Sequence, residues 1–341
     1  MSSPIPEKTS QKKTNQEDVL DLTLRPNKWE DYIGQEKIKQ NLKIIITAAK
    51  ERKENPEHLL FYGNSGLGKT TLAHLVSKEI NSDIKITSGP AIEKAGDLAA
   101  ILTNLSEGSV LFIDECHRLN RIIEEYIYPA MEEFQLNLIL GKGAMARTMT
   151  LPVPRFTLIA ATTRLAAVSA PLRSRFGAIF GLNFYEVSDI EKILQRSSQT
   201  LKIETDSDAL KTIARSSRFT PRAANHLLKR IRDFAQIKRE KIISKKTVDE
   251  ALVSMEIDKI GLTLNDVRIL ETIIKKFNGG PVGLQAIAAA TGEEEDTILD
   301  IYEPYLMRLG FIERTPRGRT TTKLASQHLG IKFKNPQNSL L

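Results

Sequence analysis

The sequence holds a single cysteine, Cys116, among 341 residues. One cysteine excludes an internal disulfide and a thiolate zinc site, and it suits a reducing compartment, the cytoplasm. Long apolar runs are also missing: none approaches the roughly 18 residues that a membrane helix needs, so no membrane contact is expected. The N-terminus has no apolar core of the kind a signal peptide carries. Acid does not predominate, with 49 Lys+Arg against 42 Asp+Glu and a net charge of +7. That mild basic excess permits a nucleic-acid partner without requiring one. The hydrophobic fraction of 41% is ample for real cores, and the length predicts two or three domains.

The most informative stretch is residues 56–72, where an apolar run, Leu59 to Tyr62, precedes Gly63-Asn64-Ser65-Gly66-Leu67-Gly68-Lys69-Thr70-Thr71. Strand, glycine-rich turn and helix form the setting of a phosphate loop. Gly63, Gly66 and Gly68 let the backbone close around phosphate oxygens, and the helix start directs amides at the anion. Lys69 would reach the β- and γ-phosphates, and the Thr70 hydroxyl would hold Mg²⁺. A second apolar run, Ser109 to Ile113, ends in Asp114 and Glu115. Ligands bind at the carboxyl ends of buried parallel strands, so Asp114 would complete the Mg²⁺ shell and Glu115 would polarise the attacking water. A third core strand, 156–163, ends in Thr162 and Thr163, which either sense the γ-phosphate or cap the next helix.

Other segments leave two readings open. Leu24, Arg25, Tyr32 and Ile33 precede the loop and either wall an adenine or brace the core. A helix is predicted over 36–53, and others over 69–81 and 96–105. Residues 134–151 read as a β-hairpin around Gly141-Lys142-Gly143, with Lys142, Ala144 and Met145 at its tip; it is either a contact device or a surface loop. Arg173 and Arg175 are either solvated or a finger acting on a neighbour's nucleotide. From 186 the pattern becomes helices only, at 188–200, 206–215, 220–239 and 246–254. There Thr220 reads as an N-cap with Pro221 in the first turn, which would aim Arg222 at phosphate or leave it on the surface.

The last segment has three predicted helices, 264–277, 284–290 and 294–309, and then two short strands around Pro316-Arg317-Gly318. That is the plan of a winged helix-turn-helix. From Arg314 onward there are six Lys/Arg and no Asp/Glu, which places charge on the wing, where it can meet phosphates. The third helix begins with Glu293-Glu294-Glu295-Asp296, a poor face for reading bases, so backbone contact by the wing is expected.

Taken together, LRPNKWEDYIGQ, GNSGLGKTT, LFIDECHRLN, MEEFQLNLILGKG, ATTR, APLRSRFG, FTPRAANHLLKRIRD, GGPVGLQAIAAATGE and RTPRGR resemble the RuvB family of AAA+ branch-migration motors, over Leu24 to about Lys334. The resemblance implies an α/β fold: a parallel-sheet ATPase domain (21–185) after a disordered tail (1–20), a small helical lid (186–257) and a winged-helix head (258–341). It implies ATP and Mg²⁺ as cofactors, with Leu24 and Arg25 at the base and Gly66, Gly68, Lys69, Thr70 and Thr71 in the phosphate loop. It further implies Asp114 and Glu115 as metal and water acids, Thr163 as first sensor and Arg222 as second. Glu132, Glu133 and Phe134 fall on a segment of ATP contacts, Arg175 on the finger acting in trans, and Tyr185 beside the nucleotide. Arg314 and Arg319, with Arg317 between them, fall on the DNA-contacting wing. Implied partners are duplex DNA at a Holliday junction, RuvA through the 134–151 hairpin, the RuvC resolvase, and further copies in a homo-hexamer.

This sequence departs from the family in having Asn64-Ser65 where two prolines are common, and Cys116 in place of an aliphatic residue. The loop works through backbone amides and Cys116 can act as a small hydrophobe, so an active enzyme is expected. A clamp-loader-like ATPase is the first rival, opposed by the RTPRGR wing. The second is an ATP-regulated DNA-binding switch, which a footprint on one duplex sequence would favour.

Overall fold

The computed structural model describes residues 23–140 and 147–332. The expected tail, the hairpin tip with Lys142, Ala144 and Met145, and residues 333–341 lie outside them. Strands β1 (Leu59–Tyr62), β2 (Ile84–Ser88) and β3 (Val110–Asp114) are followed by the antiparallel pair β4 (Gln135–Leu140) and β5 (Arg147–Pro152). Then come β6 (Thr157–Thr162) and β7 (Ala178–Gly181). The central sheet runs β2-β3-β6-β1-β7, parallel throughout.

Side chains alternate across a strand. Leu59, Phe61, Val110, Phe112, Ile159 and Ala161 therefore enter one core, and Leu60, Leu111, Ile113, Leu158 and Ala160 the other. Both faces are covered, which is why these strands are apolar at every position rather than at alternate ones. The register pairs Tyr62 with Thr162 and Ile113 with Ala160. The loops that follow β1, β3 and β6 therefore leave from one edge of the sheet, with β6 between the other two.

The lid contains helices Val187–Leu201, Ser207–Arg215, Pro221–Ile237 and Lys245–Ser254. It is not purely helical, as the sequence suggested: β8 (Glu204–Thr205) and β9 (Ile242–Ile243) pair in parallel. Two-residue strands are too short to leave a periodic trace. Ile190, Leu194, Leu227 and Ile231 of the lid share one core with Leu42 and Tyr185. The head has a core of its own around Leu270, Ile273, Tyr305 and Leu306.

In the head, helices Leu264–Lys276 and Leu284–Thr291 precede β10 (Ile312–Thr315) and β11 (Gly318–Thr321), the antiparallel wing. The expected third helix is present from Glu295 to Arg308, but it widens into a π turn, Ile298–Tyr302, between Glu295–Thr297 and Glu303–Arg308. Pro304 lacks the N–H that would bond the Asp300 carbonyl, and a widened turn accommodates that loss. Helices Arg121–Glu132 and Lys323–His328, and strand β7, are elements the sequence reading did not identify.

Candidate nucleotide and DNA-contacting sites

A cavity of about 380 Å³ lies where the phosphate loop meets the lid. Gly68, with φ +100°, precedes helix Lys69–Glu79, and a Cβ there would sit 2.8 Å from the Tyr32 hydroxyl. Gly66, with φ +80°, is tight as well: its Cβ would meet Arg222 Cβ at 3.0 Å. The loop is therefore a backbone-lined cradle that side chains would fill, as a bound phosphate requires. Lys69 is buried and its Nζ donates to the Gly63 and Asn64 carbonyls at 2.7 and 3.0 Å. Burial lowers its pKa, while Asp114 and Glu115 act against that shift.

Thr70, Thr71, Asp114 and Glu115 line the same cavity. One carboxylate and one hydroxyl suffice for magnesium, which keeps waters and takes phosphate oxygens for the rest. Glu115 N–H donates to Asp114 Oδ1 at 2.9 Å. Burial, and next the Asp114 charge, push the Glu115 carboxyl above its ordinary range. The two threonines after β6 diverge. Thr162 Oγ1 accepts from Arg164 N–H and faces His117 Nδ1, each at 2.9 Å. Thr163 Oγ1 is buried without a hydrogen-bond partner, a cost of about 1–3 kcal/mol that a ligand can relieve. Neither caps the next helix, Ala170–Arg173, which Ser169 caps.

Leu24, Arg25, Tyr32, Ile33 and Tyr185 also line the cavity. The Tyr185 hydroxyl donates to the Leu67 carbonyl at 3.3 Å and lies 3.3 Å from the Tyr32 hydroxyl, and burial pushes its pKa up to about 12. From the lid, Arg222 N–H donates to the Gly66 carbonyl at 3.4 Å, and Thr220 caps helix Pro221–Ile237 by accepting from Ala223 N–H. Arg196 and Asn225 also line the cavity. Sequence reasoning missed both, since they sit within amphipathic helices and carry no local motif. Arg196 donates to the Leu24 carbonyl, and its Nε is buried without a partner.

Thr163, Glu132, Glu133, Phe134 and Arg175 are not among the cavity's lining residues. Arg175 lies 3.2 Å from Glu132 without hydrogen-bond alignment, donates to the Pro171 carbonyl at 2.8 Å, and covers the Tyr128 ring at 4.2 Å. The finger candidate and the 132–134 segment therefore sit together, outside their own chain's nucleotide cavity.

On the wing, Arg317 is exposed at the turn. Arg314 and Arg319 both donate to Glu303, at 3.0 and 3.1 Å. Glu303 is 2% exposed. Burial pushes its carboxyl up, but the hydrogen bonds from the two arginines outweigh that and hold it below its ordinary value. Arg319 is largely committed to this pair, with 16% of its side chain exposed, whereas Arg314 keeps 51%.

Residues 24–182 match the Holliday junction DNA helicase RuvB P-loop domain, 185–258 the RuvB AAA lid domain, and 259–330 the RuvB C-terminal winged helix domain. The Holliday junction branch migration complex subunit RuvB of Dehalococcoides mccartyi is 55% identical over 320 residues, covering 94% of this chain and 92% of that one. The Thermotoga maritima RuvB Holliday junction branch migration motor superposes with a TM-score of 0.84 at 44% identity, over 91% of this chain and 99% of that structure. A point mutant of the same Thermotoga protein gives 0.85 at 44% identity, over 90% and 99%. With a phosphate cradle, two acids at a strand end, a lid and a winged head in one chain, this protein belongs to the RuvB family of AAA+ ATPases.

Proposed function

We propose that this chain is an ATP-driven DNA translocase that moves the branch point of Holliday junctions. The observation that carries this reading is one chain uniting a phosphate cradle closed by a lid with a basic wing. Lys69 and the loop amides bind the phosphates, and Arg222 brings the lid against them. Thr70 and Asp114 would hold Mg²⁺, which would supply charge neutralisation at the phosphates. Glu115 orients and accepts a proton from the attacking water, and the unpartnered Thr163 hydroxyl meets the γ-phosphate side of the site. Leu24, Arg25, Tyr32, Ile33 and Tyr185 enclose the base.

Arg175 serves a neighbouring copy, together with Glu132, Glu133 and Phe134, because all four lie away from their own cavity. A residue acting in trans requires head-to-tail contacts that close into a ring, here a hexamer. The units divide into an N-terminal tail (1–20), ATPase domain (21–185), lid (186–257) and head (258–341). Arg314 and Arg317 meet DNA phosphates and Arg319 supports them. RuvA docks on the β4–β5 hairpin, RuvC joins at the junction, and the work is done in the cytoplasm. The test is dissociation of a synthetic four-way DNA junction by this protein with RuvA. Dissociation that needs both ATP and RuvA is expected; ATP hydrolysis without junction movement would return the function to a loader or a switch.

A further inference from the structure

Two arginines near nucleotide-site candidates in sequence reach from the ATPase domain and the lid to the head, beside the lid–head contacts of Arg308 with Glu186 at 3.1 Å and of Ser216 with the Lys259 carbonyl at 3.1 Å. Arg164 follows Thr163. Its Nε donates to Asp300 Oδ1 at 2.7 Å, its Nη2 to Asp300 Oδ2 at 2.6 Å, and Nη2 is 3.0 Å from Asp296. Arg218 comes just before Thr220 and Arg222. It donates to the fully buried Asp266 at 3.1 and 3.3 Å and to the Ile301 carbonyl at 3.0 Å, and it covers the Tyr305 ring at 4.6 Å. Asp300 and Ile301 both belong to the π turn Ile298–Tyr302. One widened turn of the head is thus gripped once by the ATPase domain and once by the lid.

The two grips differ. Arg218 has a buried partner, and the adjacent Phe219 packs against the head core, so lid and head are joined firmly. The Arg164 grip on the head is made by side chains alone, with Arg164 25% and Asp300 30% exposed. The bidentate fork makes this pair strong and directional, but water reaches both partners and no packed core backs them, so it can open under a pull on the head. Inward from Arg164 the contacts are continuous. Its N–H donates to Thr162 Oγ1, that hydroxyl is 2.9 Å from His117 Nδ1, and His117 Nδ1 is 3.4 Å from Glu115 Oε2.

We propose that the Arg164–Asp300 pair is a releasable latch between the winged head and the hydrolytic centre, with Arg164, Thr162 and His117 as positioning residues for Glu115. The proposal rests on the functional reading above, in which Glu115 activates water and the head holds DNA. With the latch closed, the head fixes Arg164 and, through it, the hydroxyl and imidazole beside Glu115. DNA that draws the head away opens the pair and frees that chain of contacts, so the load on the head reaches the chemical step rather than ATP binding.

The test is steady-state ATP hydrolysis by the full chain, with and without duplex DNA, for the unmodified protein, Asp300→Asn, and the swap Arg164→Asp with Asp300→Arg. DNA is expected to change kcat of the unmodified protein. Asp300→Asn should lose about fivefold or more of that response, the lower edge of typical coupling, with KM for ATP unchanged. The swap should regain the response, which a folding defect would not do. An Asp300→Asn protein with the full DNA response overturns the latch, as does an unmodified protein whose kcat ignores DNA. Absence of ATP hydrolysis in the unmodified protein overturns the functional reading instead, and the latch with it.

Discussion

Glu115 sits at φ 49° in the left-handed region, at the corner where β3 turns into the 3-10 turn Cys116–Arg118. Such a backbone costs a non-glycine residue on the order of 1–3 kcal/mol, and here it sets the carboxylate beside Asp114 at the mouth of the cavity. Glu115→Gln is expected to reduce kcat for ATP hydrolysis by about 100-fold or more while ATP still binds; hydrolysis retained in that variant removes Glu115 from the role of base. Because burial and Asp114 raise its pKa, Glu115 takes up its proton at a higher pH than an ordinary glutamate. The acid limb of the kcat/KM profile, which reports the unliganded enzyme, should therefore lie above about 4.3. Arg175→Ala tests a different claim, since a finger supplied in trans is worth about 10³ to 10⁵ in rate. Its hydrolysis should collapse, and mixing it with Lys69→Ala protein should restore part of the rate, because mixed rings then contain sites with both an intact lysine and an intact arginine.

Among the elements, the wing depends on one buried acid. Removing a partner from a buried ion pair costs roughly 3–5 kcal/mol, so Glu303→Ala should lower the melting temperature of the head and leave Arg314 and Arg319 without their anchor. The pH dependence follows from the sign of the shift. Glu303 is held below its ordinary value when folded, so its pairs stabilise the head above the unfolded value of about 4.3. That contribution disappears as pH falls through the lower folded value. Thermal melts of the unmodified protein should therefore lose stability below about pH 4, and Glu303→Gln should lack that part of the loss. At the phosphate loop, Gly68→Ala combines a φ of +100° with a 2.8 Å approach to Tyr32. It is expected to weaken ATP binding, measured by titration with a fluorescent nucleotide analogue.

For the whole molecule, the division of cores matters more than any single contact. Lid and ATPase domain share one core, whereas the head has its own and is tied to the ATPase domain through Arg164 and to the lid through Arg218, Arg308 and Ser216. The phosphate loop, the acids at the end of β3 and the wing were legible in the sequence, because each is a local run whose residue types and order carry the chemistry. Strand, turn and helix follow one another within a few residues, and an apolar run covered on both faces is recognisable by composition. What the tertiary structure decided lies between residues far apart in the chain. It brought Arg196 and Asn225 to the cavity, set Arg175 beside Glu132 and away from its own site, and tied Arg319 to Glu303. It also separated Thr162 from Thr163: one hydroxyl is taken by His117 and a backbone amide, the other left unpartnered. The π turn illustrates the limit, since Pro304 is visible in the sequence but the partners of Asp300 and Ile301 are not. Periodicity reports which face of an element is buried, and only the packing of the three units against one another determines what that face meets.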